Sequence, residues 1–170
     1  MTLSAPELEA RMAALRLAVF DVDGVMTDGR LFYGPDGETH KTFNVRDGYG
    51  LVSLARAGVH TAVITGRNSA AVAKRMEELN CKFVFQGISE KLTCLRALVD
   101  ELSLEPAEIC YMGDDIPDLE ALRYAGIGAA VADAEDSVRL AADWVSGCRG
   151  GDGAVRELCD RILDARSRDG

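Results

Sequence analysis

Asp21 and Asp23 stand two residues apart where a short apolar run over residues 15–20, LRLAVF, stops at Asp21-Val22-Asp23-Gly24. A second acidic group, Gly113-Asp114-Asp115 with Asp118 close behind, ends another apolar run over residues 108–112. Thr65-Gly66-Arg67 closes a third run over residues 59–65, and Lys91 follows a fourth over residues 82–85. Carboxylates gathered in this number repel one another, so a hard cation is the expected companion. Magnesium, bound through one or two carboxylates, waters and a substrate phosphate oxygen, suits them. It also lets a phosphate dianion approach an anionic nucleophile. Lys91 adds a second positive charge, and Thr65 with the backbone N–H groups near Gly24 and Gly66 can bind the remaining phosphate oxygens. Two carboxylates two apart on a loop need not point the same way. One can attack phosphorus while the other meets the leaving group.

These residues share a surface only if the runs that carry them are parallel strands. Each run is short and ends in polar or glycine-bearing residues, as buried parallel strands do, and a fifth lies at residues 126–131. Helical patterns lie between them at 49–57, 69–80, 90–102, 117–124 and 134–141. The alternation predicts an α/β fold, a Rossmann-like parallel sheet flanked by helices, with ligands at the carboxyl ends of its strands. One stretch breaks it. Residues 31–34 and 39–45 around Pro35-Asp36-Gly37-Glu38 read as a β-hairpin, a flap over about 29–46. A Gly-rich segment over about 147–153 reads as a flexible loop before a last helix, about 154–165, with residues 166–170 frayed. Residues 1–170 are read as one domain.

Composition narrows the classes. The chain has 170 residues and a formal charge of −9, with no block of Lys or Arg, so its surface repels nucleic acid and anionic lipid. No apolar stretch reaches the ~18 residues of a membrane span. The opening MTLSAPELEARMAALR reads as a capped helix, with Ser4 ahead of Pro6, Glu7 and Glu9, rather than a secretion signal. Cys81, Cys94, Cys110, Cys148 and Cys159 are far apart and form no zinc motif, which fits reduced thiols in a cytoplasmic protein.

Taken in order, D-x-D-G at 21–24, a strand-end threonine at 65, Lys91, and G-D-D-x-x-D at 113–118 resemble the four motifs of the haloacid dehalogenase superfamily. That resemblance implies Asp21 as the nucleophile that forms an aspartyl-phosphate and Asp23 as the general acid, then base. It implies phosphate binding by Thr65, Gly66 and Lys91. Magnesium would be held by Asp21, the backbone carbonyl of Asp23, and Asp114, with Asp115 and Asp118 behind them. The absence of any insertion beyond the hairpin makes the chain similar to capless members.

DVDGVMTDG at 21–29, FNVRDGYG at 43–50, ITGR at 64–67 with Arg75 beyond, QGISEK at 86–91, YMGDDIPD at 111–118 and GGDGAVRE at 150–157 resemble one capless family, the 3-deoxy-D-manno-octulosonate 8-phosphate phosphatases. The family implies a homotetramer built through the hairpins and a Gly-rich tail that can reach a neighbouring site. It implies Arg67 and Arg75 as partners for a sugar-acid carboxylate, which a guanidinium grips with two parallel bonds. Phosphatases of nine-carbon keto-acid sugar 9-phosphates, of the sialic-acid type, share these motifs and are the alternative. A magnesium- or sugar-phosphate-binding regulatory subunit without catalysis is a third reading, disfavoured because Asp21 and Asp23 are both kept.

Plainer readings stand beside these. Arg75 equally suits a surface pair with Glu78. Asp28 and Asp47 are turn residues or support the site from behind, and Arg149 is a substrate contact or a solvated tail arginine. His40 and His60 are read as non-catalytic, and Trp144 as core.

Overall fold

Strand β1 (Leu17–Phe20) is buried along its whole length, as a strand covered on both faces must be. In the computed structural model, which describes residues 3–169, it lies inside a six-stranded sheet. β4 (His60–Ile64) and β5 (Phe83–Phe85) lie on one side of it. β6 (Ile109–Gly113), β7 (Ile127–Ala130) and β8 (Trp144–Val145) lie on the other. The order is β5-β4-β1-β6-β7-β8 and every pairing is parallel. Chain connections leave β1 toward β4 and later return beyond it to β6. The carboxyl end of β1 therefore sits where the strand order reverses, the place for a ligand crevice in such sheets.

Two helical layers cover the sheet. α1 (Ala5–Ala14) and α2 (Val45–Arg56) both pack on α7 (Ala154–Asp169), and α3 (Ala70–Glu78) lies beside α2. α4 (Lys91–Leu102), α5 (Leu119–Tyr124) and α6 (Asp136–Ala141) form the other layer. α1 starts as its sequence demands: Ser4 and Glu7 cap each other's backbone N–H groups. α2 begins a full turn before the expected start at residue 49. Asn44 caps it by accepting from the Arg46 N–H at 2.8 Å. Val45 and the glycines at 48 and 50 hid that first turn, because β-branched and glycine residues argue against helix. The two-residue edge strand β8 has no sequence signature and was not expected, although its Trp144 is buried as read.

β2 (Phe32–Gly34) and β3 (Gly37–His40) form the expected antiparallel hairpin between β1 and α2. Leu31, Phe32 and Tyr33 are exposed on it.

The Gly-rich segment is not a free loop. The Gly151 N–H donates to Val25 O at 2.9 Å and the Gly150 N–H to Asp133 at 2.9 Å. A Cβ at position 150 would sit 1.8 Å from Gly24 O, so only glycine lets this segment lie against the Asp21 loop of its own chain. Nor does the last helix fray at 166. α7 continues to Asp169, and Arg166 ties it down by donating to Ala13 O and Leu15 O. Gly170, part of the frayed reading, lies outside the described residues. Asp47 accepts from the Arg156 N–H at 2.9 Å near the start of α7. It is a cap supplied by another helix. All five cysteines are free, and no helix is long and apolar enough to cross a membrane.

Candidate active site

Three strand ends and one helix start meet in a pocket of about 330 Å³. β1 delivers Asp21 and Asp23, β4 delivers Thr65, Gly66 and Arg67, β6 delivers Asp114, Asp115 and Asp118, and α4 delivers Lys91. Ile88, Ser89 and Pro117 complete the lining. A smaller hollow at the other end of β4 and β5, about 190 Å³ around His60 and Phe83, has no acid in its lining.

Asp21 is aimed by its backbone, whose N–H donates to Met112 O at 3.0 Å and so extends the β1–β6 ladder by one residue. Its Oδ2 lies 2.9 Å from Lys91 Nζ. Its Oδ1 is buried without a hydrogen-bond partner among the described residues, and so is Oδ1 of Asp114. Burial, then repulsion from Asp118, pushes the Asp21 carboxyl up to about 7, against the pull of Lys91. Burial, then Asp21 and Asp118, pushes Asp114 up to about 8. Two buried carboxyls that resist ionisation side by side, each with an unsatisfied oxygen, are the donor set a divalent cation satisfies.

Gly24 makes this proximity possible. Its φ is +89°, and a Cβ there would lie 1.9 Å from Asp114 Oδ2. The loop after it is tightened by Thr27, whose Oγ1 accepts from the Gly24 N–H at 3.3 Å and the Gly29 N–H at 3.2 Å. The Gly24 N–H is therefore taken within the loop. Those of Asp23 and Gly66 have no partner among the described residues.

Asp118 lies within 4.8 Å of both other carboxylates by their ligand atoms, yet it is fully engaged. Its Oδ1 accepts from Lys91 Nζ and from Tyr111 OH, both at 2.7 Å, and its Oδ2 accepts the N–H groups of Asp114 and Asp115 at 3.1 and 3.3 Å. It fixes the neighbours rather than offering free lone pairs. Burial works against the Lys91 ammonium, but Asp21 and Asp118 outweigh it and raise its pKa, so the ammonium stays charged. Asp115 accepts from the Ile116 N–H at 2.7 Å and caps the short turn that carries Asp118. Thr65 is buried at the end of β4, where its N–H donates to Phe85 O at 2.9 Å and its carbonyl accepts from Ile88.

The two arginines part company. Arg67 lines the pocket, but its guanidinium donates to Glu38 Oε2 at 3.2 Å and Tyr33 OH at 2.8 Å, both on the hairpin. Arg75 does not line this pocket. It packs over Gly48, pairs with Glu78 at 3.4 Å, and faces a separate groove with Val45, Tyr49 and Arg56. The plain reading of Arg75 describes its place in this chain. Asp28 is a turn residue accepting from Arg30, Arg149 pairs with Asp133, His40 stacks on Phe32, and His60 meets the edge of Phe83.

Sequence reasoning missed two groups here. Tyr111 carries the one hydroxyl in the fully buried strand β6, and a buried phenol needs a partner, so its position two residues before Gly113 was a usable signal. Lys41 gave none. It reads as a solvated hairpin lysine, yet its side chain is 1% exposed and its Nζ lies 2.5 Å from Asp23 Oδ1 and 3.0 Å from Glu38 Oε2.

A family model described as haloacid dehalogenase-like hydrolase matches residues 83–158. The 3-deoxy-D-manno-octulosonate 8-phosphate phosphatase of Yersinia pestis is 40% identical over 96% of this chain and 88% of the relative. Among solved structures, the Moraxella catarrhalis 3-deoxy-D-manno-octulosonate 8-phosphate phosphatase, in complex with magnesium, phosphate and KDO, superposes with a TM-score of 0.93 at 40% identity. That match covers 97% of this chain and 95% of the other. The cobalt-bound deoxy-D-mannose-octulosonate 8-phosphate phosphatase of Haemophilus influenzae has a TM-score of 0.90 at 39% identity, covering 92% of each chain.

Proposed function

We propose a specific substrate and mechanism for this chain, which belongs to the 3-deoxy-D-manno-octulosonate 8-phosphate phosphatases among the haloacid dehalogenase-like hydrolases. It is a phosphoric monoester hydrolase, and the substrate is 3-deoxy-D-manno-octulosonate 8-phosphate, cleaved to the free sugar acid and phosphate. The observation that carries the mechanism is the pair of buried, unpartnered oxygens on Asp21 and Asp114, beside Lys91 and Thr65.

Asp21 and Asp114 would hold magnesium through those oxygens, with the Asp23 carbonyl as a further ligand. Bound there, the ion neutralises charge on the carboxylates and on the transferring phosphoryl group. Asp21, its second oxygen held by Lys91, attacks phosphorus as the ester P–O bond breaks. Asp23 gives its proton to the departing sugar oxygen. The aspartyl-phosphate on Asp21 is then attacked by a water whose proton returns to Asp23, which releases phosphate and restores Asp21. Lys91, the Thr65 hydroxyl and the Gly66 N–H hold the phosphoryl oxygens through both halves. Asp118 and Asp115 keep Lys91 and the Asp114 loop in place.

The hairpin supplies the finer expectations. Its exposed Leu31, Phe32 and Tyr33 are an apolar strip on a two-stranded ribbon, and covering them by assembly into a homotetramer removes them from water. In that assembly Arg75, turned away from its own pocket, is left for a neighbouring copy. Five free cysteines suit the reducing cytoplasm. The deciding experiment is phosphate release from eight-carbon and nine-carbon keto-acid sugar phosphates, with magnesium and with chelator. Preference for the eight-carbon substrate supports this reading. Preference for a nine-carbon 9-phosphate, or turnover that survives chelation, overturns it.

A further inference from the structure

Asp23 has work that depends on direction: its carboxyl must face the leaving oxygen and then a water. Nothing in the Asp21 loop holds it there. Its Oδ1 is gripped from the hairpin instead, by Lys41 Nζ at 2.5 Å. The ammonium is buried, with its side chain 1% exposed, and is shared with Glu38 Oε2 at 3.0 Å. The same Glu38 oxygen accepts from Arg67 Nε at 3.4 Å and from its terminal nitrogen at 3.2 Å. A chain of alternating charge thus runs Asp23–Lys41–Glu38–Arg67 from the loop after β1, through the hairpin, to the end of β4. A lysine stem is flexible when solvated and loses rotamer freedom on burial, so a buried ammonium between two carboxylates has one place to be. Surface ion pairs contribute little, but this one is enclosed and has a second anchor.

We propose that Lys41 is a positioning residue for the reaction, setting the direction of the Asp23 carboxyl, with Glu38 and Arg67 as the anchors that hold Lys41 in place. The hairpin then acts in catalysis within its own chain, whatever it does in assembly. Lys41 acts on the reaction through Asp23 and forms no bond to the phosphoryl group. This inference rests on the phosphatase reading and on Asp23 as the proton donor.

The test uses two small substrates of nearly the same shape, phenyl phosphate and 4-nitrophenyl phosphate, with the full chain and magnesium. Phenolate is a poor leaving group and needs a well-aimed proton, whereas 4-nitrophenolate leaves without one. kcat/KM reports events up to departure of the leaving group, so the later attack of water drops out. Lys41→Met is expected to lose about tenfold or more in kcat/KM on phenyl phosphate and less than about threefold on 4-nitrophenyl phosphate, a part of the roughly 100-fold or more that general acid catalysis contributes. Glu38→Gln keeps the ammonium but loosens its anchor, and should change the same ratio in the same direction by less. Equal losses on both substrates would mean a merely structural role and overturn the proposal, as would no loss on either. If Lys41→Met does not fold, judged by its melting transition, Lys41→Gln takes its place with the same expected ratio. A wild type inactive on every phosphate ester would instead overturn the phosphatase reading.

Discussion

Two buried lysines each bridge two carboxylates at this pocket, and they do so from opposite kinds of structure. Lys91 comes from the first turn of α4 and lies between Asp21 and Asp118, whose side chains are 9% and 1% exposed. Lys41 comes from the hairpin and lies between Asp23 and Glu38, at 20% and 13%. The floor of the pocket is thus built on the sheet and more deeply buried, while its flap is held to the rim by charge between side chains that water reaches more easily. The floor must keep two mutually repelling carboxylates, Asp21 and Asp114, in one place against the cost of burying them. The flap has only to aim one, and it hangs on a ribbon whose outer face is exposed.

The largest expected effect separates chemistry from support on the floor itself. Asp21→Asn keeps the shape of the side chain and removes the nucleophile, so turnover of the sugar phosphate should fall roughly 10⁴-fold or more. Stability should not fall with it, because the charge removed is one that burial and Asp118 already oppose. A steady-state assay beside a melting curve checks both. Retained turnover would remove Asp21 from the mechanism.

Next comes the direct comparison. Lys91→Met leaves Asp21 and Asp118 as uncompensated buried charges, which is expected to cost about 3–5 kcal/mol. Lys41→Met leaves two partly hydrated carboxylates and should cost less, about 1–3 kcal/mol. Urea unfolding of the two variants measures the difference. Equal costs would mean that the flap is as much a part of the folded core as the floor.

The same contrast explains what could be read from the sequence. The strands of the floor are short apolar runs that stop at polar or glycine-bearing residues, so the parallel sheet was legible from spacing, and Asp21, Thr65, Lys91 and Asp114 stood out at the ends of its elements once the order of the motifs was added. Each of those residues owes its place to the end of a regular element. Lys41 was not legible, because its burial is made by Asp23 and Glu38, which reach it across the hairpin and the β1 loop. The Gly150–Gly151 segment misled for a similar reason: glycine runs suggest flexibility, yet here they permit close approach to Gly24 and Val25. Arg67 and Arg75 look alike as strand-end and helix arginines. Only the packing of the hairpin on one, and of α2 on the other, sends them to different pockets.

The smallest effect is the one that tests whether the cation belongs to the floor alone. An acid whose folded-state pKa is raised above its unfolded value, roughly 4 for aspartate, costs stability once pH exceeds that value. The full cost is reached above the folded values, about 7 for Asp21 and about 8 for Asp114. Chelated protein should therefore lose melting temperature through these two groups between roughly pH 4 and pH 8. Magnesium should return more of it at pH 8 than at pH 5, at about 2–4 °C for each kcal/mol. In Lys91→Met the carboxylates lose their ammonium, so the magnesium-dependent gain at pH 8 should grow. In Lys41→Met it should stay as in the wild type, since the side chain of Asp23 is not among the ligands. A gain that shifts in Lys41→Met instead would tie the flap to the metal and erase the division between floor and flap.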